Sequence, residues 1–427
     1  MGSAYSVLIA TCLFMTSVAN IFEVNEAIKE SFALTIVFLN IFVVLMAIYK
    51  ASNGDKEICR ILVMSYVLRV LLLLLDLYGR DIFILPSSGN DTEMFHSGAL
   101  GFPNFDFKKN PYAYVVGIIY SFGLKQRIIG QYFNLLFSMS TIYICIKMFD
   151  EFKIDNRVRI LLTAIIAFIP NYMITSVILL RESIMIFLLA ASLLSFIKWW
   201  KYNRLHNFIF SILLVLASST FHSGVISNAA GYIIVFILCN NKERKFKFTV
   251  KSTLLVFIFS IVLSVFFARF SDIFMSKFGN IEDLEDITSR TELAVSGGAA
   301  YDTGGSISSI GDFIKHSPIK MIYFIVSPLP WNWRGINDII AFVFSALFFI
   351  MSYVYSIKAL KNLKYHNLEF IKICLILGFI SAFVFAWGTS NAGTAMRHRD
   401  KFLVNYILML ALSLDCIKKN KLIKEDF

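Results

Sequence analysis

The chain has 427 residues, of which 57% are hydrophobic and only 16% are charged, and its mean hydropathy is +0.70. A soluble globular domain is about 45–50% apolar, so this composition excludes an ordinary soluble protein. It predicts a chain that crosses a membrane many times. The net charge of +11 does not call for a nucleic-acid partner, because Lys and Arg accumulate in the cytoplasmic loops of membrane proteins.

Apolar runs of about 20 residues, the length that crosses a bilayer, predict about twelve membrane-spanning helices. These runs lie near 4–22, 32–49, 61–78, 128–146, 158–175, 182–199, 206–221, 223–239, 252–269, 337–357, 371–388 and 402–417. Two weaker segments, 111–124 and 318–330, are predicted as re-entrant or interfacial helices. The predicted fold is therefore an all-α, polytopic integral membrane helix bundle, with 1–427 as a single transmembrane domain.

The distribution of basic residues predicts how the chain is oriented. With both termini in the cytoplasm, the cytoplasmic loops and the tail hold 23 of the 40 Lys and Arg residues, as the positive-inside rule requires. Two long segments, 79–127 and 269–336, then form large extracytoplasmic loops. None of the six cysteines falls in these loops, which fits an oxidising outer face and a chain without disulfides.

Charged residues inside or beside apolar runs are the first functional candidates. Arg181 and Glu182 stand between two such runs. An arginine at the centre of a membrane helix costs about 2.5–3.5 kcal/mol on insertion scales, so it normally faces a bundle interior, a water-filled cavity or the interface. The other interpretation is that Arg181 only anchors a helix end against lipid headgroups, or pairs with Glu182. Arg69 and Asp76 share one face of the third span but are too far apart to pair, so each is expected to find a partner on another helix.

The first predicted outer segment and the turn near 222 add further candidates. Asp91 and Glu93 form an acidic pair, and the segment ends in a basic run that includes Arg127. His222 lies at an outer turn among hydroxyl residues. A lone histidine there is more often a satisfied helix-end group than a catalyst, and its predicted membrane face is the one that carries Arg181.

The second outer segment carries Trp331 and Trp333. The two rings fit either an aromatic belt at the outer interface or a stacking platform for sugar rings. The glycine-rich stretch 296–305 is predicted to order only when substrate binds.

Arg397 and Arg399 precede the last span on the outer side, where the positive-inside rule disfavours basic residues. Guanidinium forks match phosphate oxygens bidentately, so with Arg181 these two arginines are candidates for a diphosphate clamp. Attraction to anionic lipid headgroups is the alternative.

Four stretches in one order resemble bacterial O-antigen and capsular-polysaccharide polymerases, over roughly residues 80–405. They are Asp91-Thr92-Glu93, Pro170-Asn171 with Leu180-Arg181-Glu182-Ser183, Pro328-Leu329-Pro330-Trp331, and Asn391 and Gly393-Thr394 with Arg397-His398-Arg399. The resemblance implies a cell-envelope enzyme of the bacterial cytoplasmic membrane. Such an enzyme transfers a growing glycan, at the outer face, from undecaprenyl diphosphate to another lipid-linked repeat unit. In that family arginines of outer loops bind the substrates, a role that carries over to Arg181, Arg397 and Arg399.

Glycosyl transfer from a diphosphate requires charge stabilisation on the leaving group and a base for the attacking hydroxyl. Arginines supply the first, and Asp91, Glu93 or His222 the second. The predicted catalytic residues are Arg181, Arg397, Asp91 and Glu93. The predicted substrate-binding residues are Arg399, His398, His222, Glu182, Trp331, Trp333, Arg334 and Arg127.

No cofactor and no metal site are predicted, because no metal-ligand spacing occurs, although a loosely held divalent cation near Asp91 stays open. The expected partners are an undecaprenyl-diphosphate-linked oligosaccharide, membrane lipid and a chain-length regulator protein, and no nucleic acid. Three other functions remain open. They are an O-antigen ligase-like enzyme with another acceptor, a glycosyltransferase that uses polyprenyl-phosphate sugars, and a non-enzymatic flippase or transporter. The last would place its charges nearer the bilayer midplane, often with an inverted repeat, and the sequence shows no repeat.

Overall fold

A computed structural model describes residues 1–104, 107, 110–240, 245–246, 250, 252–255, 257–258, 261, 300–301, 310–361 and 365–425. Within this part the chain is almost wholly helical, and the only paired strands are β1 (Cys239–Asn240) and β2 (Lys245–Phe246), which run antiparallel. Its contacts divide the chain into two compact units. Unit 1 comprises 1–147 and 159–187, and unit 2 comprises 148–158 and 188–427.

Up to Tyr202, the described residues form nine α-helices. They are α1 (Gly2–Ile21), α2 (Glu26–Ala51), α3 (Lys56–Tyr78), α4 (Asn90–Leu100), α5 (Pro111–Phe122), α6 (Arg127–Phe152), α7 (Asn156–Phe168), α8 (Pro170–Thr175) and α9 (Glu182–Tyr202). Within unit 1, α2 packs against α1 and α3, and α4 packs against α5. Side-chain caps set several of the starts, as where the Asp55 carboxylate accepts hydrogen bonds from the first free amides of α3.

The rest of the chain continues the helical pattern. It contains α10 (Leu205–Ser219), a 3₁₀ turn (Ser223–Ile226), α11 (Ser227–Leu238), α12 (Ile310–Val326), a 3₁₀ turn (Pro330–Asn332), α13 (Ile336–Ala341), a π-helical turn (Phe342–Ala346), α14 (Leu347–Leu360), α15 (Leu368–Trp387), α16 (Ala392–Asp400) and α17 (Leu403–Glu425). Within unit 2, α17 packs against α14 and α15, and α12 packs against α15 and α16.

Seven helices of the described residues are long and apolar enough to cross a membrane. They are α1, α2, α3, α6, α9, the continuous helix Asp338–Leu360 and α15. Three apolar helices are shorter, namely α5, α10 and Ser223–Leu238. The chain is therefore a helical, multi-pass membrane protein. Most of the predicted span 252–269 and of the glycine-rich stretch 296–305 lies outside the described residues.

The apolar run 158–175, predicted as one span, is divided in the structure. Helix α7 ends at Phe168 and α8 begins at Pro170, because a proline has no N–H for the helix ladder and its ring clashes with the preceding turn. The carbonyl of Ala167 lies next to this break. It accepts hydrogen bonds from the Ser65 hydroxyl at 3.2 Å and from Arg69 Nη1 at 2.8 Å.

The expectation that Arg69 and Asp76 find partners on other helices is confirmed. Besides Ala167, Arg69 donates from Nε to the hydroxyl of Ser138 on α6, at 3.1 Å. Asp76 Oδ2 accepts from the amide of Gln131, also on α6, at 2.6 Å. Both charged side chains are fully buried, and the hydrogen bonds of the guanidinium go to neutral oxygens rather than to a carboxylate.

The two weaker apolar segments differ from each other. The first forms a 12-residue helix, α5, whose N-cap is Asn110 and which ends before Gly123. The second does not form a helix of its own, because Pro318 lies inside α12, which begins eight residues earlier at Ile310.

Candidate functional site

The strongest charged arrangement in unit 1 lies in the predicted outer segment and joins Arg80, Glu93 and Arg127, here called the arginine–glutamate cluster. Glu93 stands in the first turn of α4, and Arg127 is the first residue of α6. Arg80 Nη1 donates to Glu93 Oε1 at 2.9 Å, and Arg127 Nη1 donates to the same oxygen at 2.6 Å. Two guanidinium groups therefore converge on a single carboxylate oxygen.

Both arginines of the cluster are held by a second partner. Arg127 Nη2 donates to the hydroxyl of Thr92 at 3.0 Å. Arg80 donates from Nε to the backbone oxygen of Asp76 at 3.0 Å and from Nη2 to the hydroxyl of Ser88 at 2.9 Å. Ser88 in turn donates to the buried Asp76 carboxylate. The two forks are thus positioned by neighbouring groups and do not depend on Glu93 alone.

Glu93 keeps one oxygen open. Its side chain is 50% exposed, and Oε2 accepts no hydrogen bond from the described residues. Partial burial raises the pKa of Glu93, but the hydrogen bonds and charges of Arg127 and Arg80 outweigh that effect and leave the pKa below its usual value. The carboxylate is therefore charged at neutral pH. Arg127 Nε is buried and has no hydrogen-bond partner among the described residues.

Two other ionisable groups belong to α4. Asp91 is exposed in the first turn, where a carboxylate is favoured by the helix dipole. His96, a turn further on, makes a 2.8 Å hydrogen bond through Nδ1 with the hydroxyl of Tyr120. Burial, and then the positive charge of Arg127, lower the pKa of His96, although Glu93 acts in the opposite direction. His96 is therefore neutral at pH 7.

Arg181 and Glu182 stand at the beginning of a helix in unit 1. The Arg181 carbonyl accepts from the amide of Met185 at 3.2 Å, so Arg181 is the residue before the first turn of α9. The segment that leads to it is buried, and the carbonyls of Ile178 and Leu180 accept from the Asn134 amide, both at 2.8 Å. Arg181 is partly buried and Glu182 is 1% exposed. Their contact with a substrate stays a prediction.

In unit 2, the two predicted histidines lie against each other. The His222 and His398 rings are edge to face with centroids 4.9 Å apart, and both contact Phe385. His222 caps the 3₁₀ turn, since its Nδ1 accepts from the amide of Gly224 at 3.3 Å; in the neutral ring the proton is then on Nε2. His398 Nδ1 bonds the hydroxyl of Thr389 at 3.1 Å.

Tyr301 crosses the segment that carries Thr389. Its amide donates to the carbonyl of Ser390 at 2.9 Å and its hydroxyl to the carbonyl of Thr389 at 3.1 Å. Ala300, next to it, pairs with Asn391 in an isolated bridge. This short piece of the second predicted outer segment is therefore fixed beside the start of α16.

Arg399, predicted to bind substrate, is 1% exposed, and its guanidinium is occupied by the protein. Nε donates to the hydroxyl of Ser345 at 3.1 Å, and Nη1 donates to the carbonyls of Ile325 and Ser327 at 2.9 and 2.5 Å. Burial lowers the pKa of Arg399 to about 10, so it remains protonated at neutral pH. These contacts support the loop after α12. Arg397 lies partly buried on the same helix, α16.

The loop after α12 carries the predicted aromatic residues. Trp331 is 71% exposed, whereas Trp333 donates from Nε1 to the carbonyl of Pro328 at 3.1 Å. Arg334 forms a bidentate ion pair with Asp338, with Nε–Oδ2 and Nη2–Oδ1 distances of 2.9 and 3.0 Å. Its Nη1 makes no hydrogen bond within the described residues.

A cavity of about 200 Å³ opens beside this loop in unit 2. Its principal lining residues are Tyr301, Ser327, Pro328, Asn332, Arg334 and Ala392. The structure therefore brings Arg334 and the start of α16 to one cavity, and the histidine pair is linked to it through Thr389 and Tyr301. The arginine–glutamate cluster of unit 1 thus contains the predicted residues Glu93 and Arg127, and the cavity of unit 2 contains the predicted residue Arg334.

The sequence interpretation missed Arg80, Tyr301 and Asn332. Arg80 carried a usable signal, because a basic residue at the outer end of a span violates the positive-inside rule. Tyr301 is the only aromatic residue in the glycine-rich stretch 296–305. Asn332 lies between two tryptophans and carried no signal of its own.

Among the described residues, no group of three or more His, Cys, Asp or Glu side chains is arranged to hold a metal ion. Comparisons with protein-family models, with curated proteins and with solved structures found no match to this chain.

Proposed function

We propose that this chain is a membrane glycosyltransferase that polymerises lipid-linked oligosaccharide repeat units at the outer face of the bacterial cytoplasmic membrane. The donor is a glycan on undecaprenyl diphosphate, and the acceptor is a second lipid-linked repeat unit. The observation that carries the proposal is the arginine–glutamate cluster, in which Arg80 and Arg127 converge on Glu93 Oε1 at 2.9 and 2.6 Å.

The arginine–glutamate cluster combines the two groups that the reaction needs, namely cations for the leaving diphosphate and a base for the acceptor hydroxyl. Guanidinium groups form charge-assisted, bidentate hydrogen bonds with phosphate oxygens, and Arg80 and Arg127 are held by Ser88 and Thr92 independently of Glu93. In the absence of substrate, Glu93 offsets one of the two positive charges of Arg80 and Arg127. A diphosphate brings more oxygens and more negative charge than one carboxylate, so it competes with Glu93 for the guanidinium groups.

Release of Glu93 from the arginines raises its basicity, because their hydrogen bonds and charges are what lower its pKa. The acceptor hydroxyl oxygen then attacks the anomeric carbon of the donor, and its proton passes to Glu93. The bond between that carbon and the diphosphate oxygen breaks, and the electron pair leaves with undecaprenyl diphosphate. Arg80 and Arg127 stabilise the charge that grows on this leaving group.

The predicted substrate contacts of Arg181 in unit 1 and of Arg397 in unit 2 stay predictions. Arg181 precedes the first turn of α9, and Arg397 lies in the last turn of α16. Both residues are intermediate between buried and exposed. Arg399 has a different role in the proposal. It holds the loop after α12 in place, because its guanidinium is committed to Ser345 and to the backbone of that loop.

The experiment is a deletion of the gene in its own host, followed by analysis of lipid-linked glycans. Cells without the chain are expected to lose the polymer and to accumulate single repeat units on undecaprenyl diphosphate. The wild-type gene should restore the polymer, and a Glu93→Gln gene should not. Normal polymer in the deletion strain, or loss of the repeat unit itself, would refute the proposal.

The histidine pair favours a second candidate, a ligase-like transfer of the same donor to a different acceptor. His222 and His398 lie 4.9 Å apart, and an imidazole is a suitable base near neutral pH. In a ligase, the deletion strain would still contain polymer on undecaprenyl diphosphate and would lack its transfer to the final acceptor. The same glycan analysis therefore separates the two functions.

A further inference from the structure

We propose that the cavity beside the loop after α12 is a subsite for one uncharged sugar residue of the glycan. The inference rests on the proposed function for its biological meaning, but it stands on geometry in unit 2 alone. The cavity is defined by Tyr301, Asn332, Arg334 and Ala392, with Ser327 and Pro328 on the wall that Arg399 supports.

The size of the cavity limits the ligand to a single ring. Its volume is about 200 Å³, which is below the roughly 300–1,000 Å³ of pockets that hold drug-sized ligands. It is large enough for about six waters at roughly 30 Å³ each, and a ring with several hydroxyl groups replaces such a group of waters. A disaccharide would have to extend out of the cavity.

The polar groups of the cavity suit hydroxyl groups. The Asn332 carboxamide offers a donor and an acceptor and makes no hydrogen bond within the described residues. Arg334 Nη1 is a donor that has no partner there either. Tyr301 also lines the cavity. It donates its hydroxyl hydrogen to the Thr389 carbonyl, so its oxygen can act only as an acceptor.

The charge of the cavity favours an uncharged sugar over a uronic acid. Arg334 is the only charged residue among the described lining residues, and its charge is neutralised by the bidentate pair with Asp338. A sugar carboxylate would compete with Asp338 for the same guanidinium and would bring a second negative charge close to it. Removal of the Asp338 charge should therefore reverse the preference.

Saturation-transfer NMR with the purified full chain in detergent tests the subsite. The probes are methyl glucoside, methyl galactoside and N-acetylglucosamine as neutral sugars, and glucuronate as the acidic one. The wild type should transfer saturation to at least one neutral sugar and less to glucuronate. Asn332→Ala and the cavity-filling Ala392→Leu should weaken that binding about tenfold, which corresponds to ~1.4 kcal/mol. Ala27→Leu adds the same bulk at an exposed position of unit 1 and should change nothing.

A separate variant tests the charge of the cavity. Asp338→Asn should shift the preference toward glucuronate by about tenfold, because it leaves Arg334 as an unneutralised cation. No transfer to any neutral sugar from the wild type, or an unchanged preference in a folded Asp338→Asn protein, would overturn the subsite. If the purified protein binds sugar but the deletion strain still makes polymer, the subsite is supported and the polymerase function is rejected. If the Ala392→Leu variant makes normal polymer in the cell, the polymerase function is supported and the subsite is rejected.

Discussion

Glu93→Gln is the most informative substitution, because the structure assigns it a small effect on stability and the proposed mechanism assigns it a large effect on activity. The change keeps the size of the side chain and removes its charge. Glu93 makes two ion pairs, with Arg80 and Arg127, but its side chain is 50% exposed. Exposed pairs contribute about 0.2–1 kcal/mol each, and both arginines retain Ser88 and Thr92 as partners. The expected loss in the free energy of unfolding is about 1 kcal/mol.

The expected loss of activity is much larger. A positioned general base contributes a factor of about 10²–10⁴ to the rate, and glutamine cannot accept the proton of the acceptor hydroxyl. Polymer formation should therefore fall by at least about 10². Binding of the diphosphate should be kept or improved, because the neutral amide no longer competes for Arg80 and Arg127. Single repeat units should accumulate on the lipid while the protein inserts and folds normally.

Glu57→Gln is the matched control. Glu57 forms a surface ion pair with Arg60 at 2.7 Å, and its side chain is 56% exposed, so the two substitutions remove similar interactions. The assays are gel analysis of the glycan from complemented deletion cells and thermal unfolding of the purified variants in detergent. Glu57→Gln should leave polymer unchanged. If Glu93→Gln made normal polymer, or lost polymer only in proportion to folded protein, the base assignment would be wrong.

Three further predictions follow from other residues. Arg181→Lys and Arg397→Lys keep the charge but lose the planar fork, so each should fold normally and lose a factor of about 10²–10³ in polymer formation; normal polymer from both would favour headgroup anchoring. Arg69→Lys should lower the thermal unfolding midpoint, because one ammonium cannot bridge the oxygens that the guanidinium joins, whereas the exposed Arg60→Lys should not; equal midpoints would contradict this. Burial lowers the pKa of His96 from its usual 6.5, so the unfolded chain binds a proton at His96 before the folded chain does as the pH falls. This group should therefore leave the stability unchanged above about pH 6.5 and lower it below that pH. In a pH series of thermal unfolding midpoints, His96→Gln should flatten the decline.

The apolar pattern predicted the helices well where the run was long and uninterrupted. The runs 4–22, 32–49 and 61–78 correspond to α1, α2 and α3. Helices α2 and α3 begin several residues before their runs, because Asn25 and Asp55 cap their polar first turns. The pattern failed where backbone chemistry overrides hydropathy, as at Pro170 and in α12, which includes the short segment predicted from Pro318. Hydropathy measures transfer to an apolar medium and carries no information on whether the backbone ladder is continuous.

The candidate site was predictable in composition and less so in arrangement. Glu93 and Arg127 were identified from the sequence, but their common partner Arg80 was not, since residues thirteen and thirty-four positions apart meet only in the folded chain. Arg399 shows the opposite case. A guanidinium in a predicted outer segment is equally suited to bind a phosphate or a set of carbonyls, and only the packing of Ile325 and Ser327 around it identifies the carbonyls.

The position of Arg181 follows from the breaks that precede it. A continuous helix from Asn156 to Tyr202 would be about 70 Å long at 1.5 Å per residue, more than twice the hydrocarbon thickness of about 30 Å. Pro170 ends the first ladder, Arg69 donates to the carbonyl of Ala167 next to the break, and Asn134 holds the carbonyls of the buried turn before α9. Arg181 and Glu182 therefore fall at a helix start rather than in the middle of a span. There the Glu182 carboxylate interacts favourably with the helix dipole, and the arginine need not be buried in the centre of a bilayer helix, where its cost would be greatest.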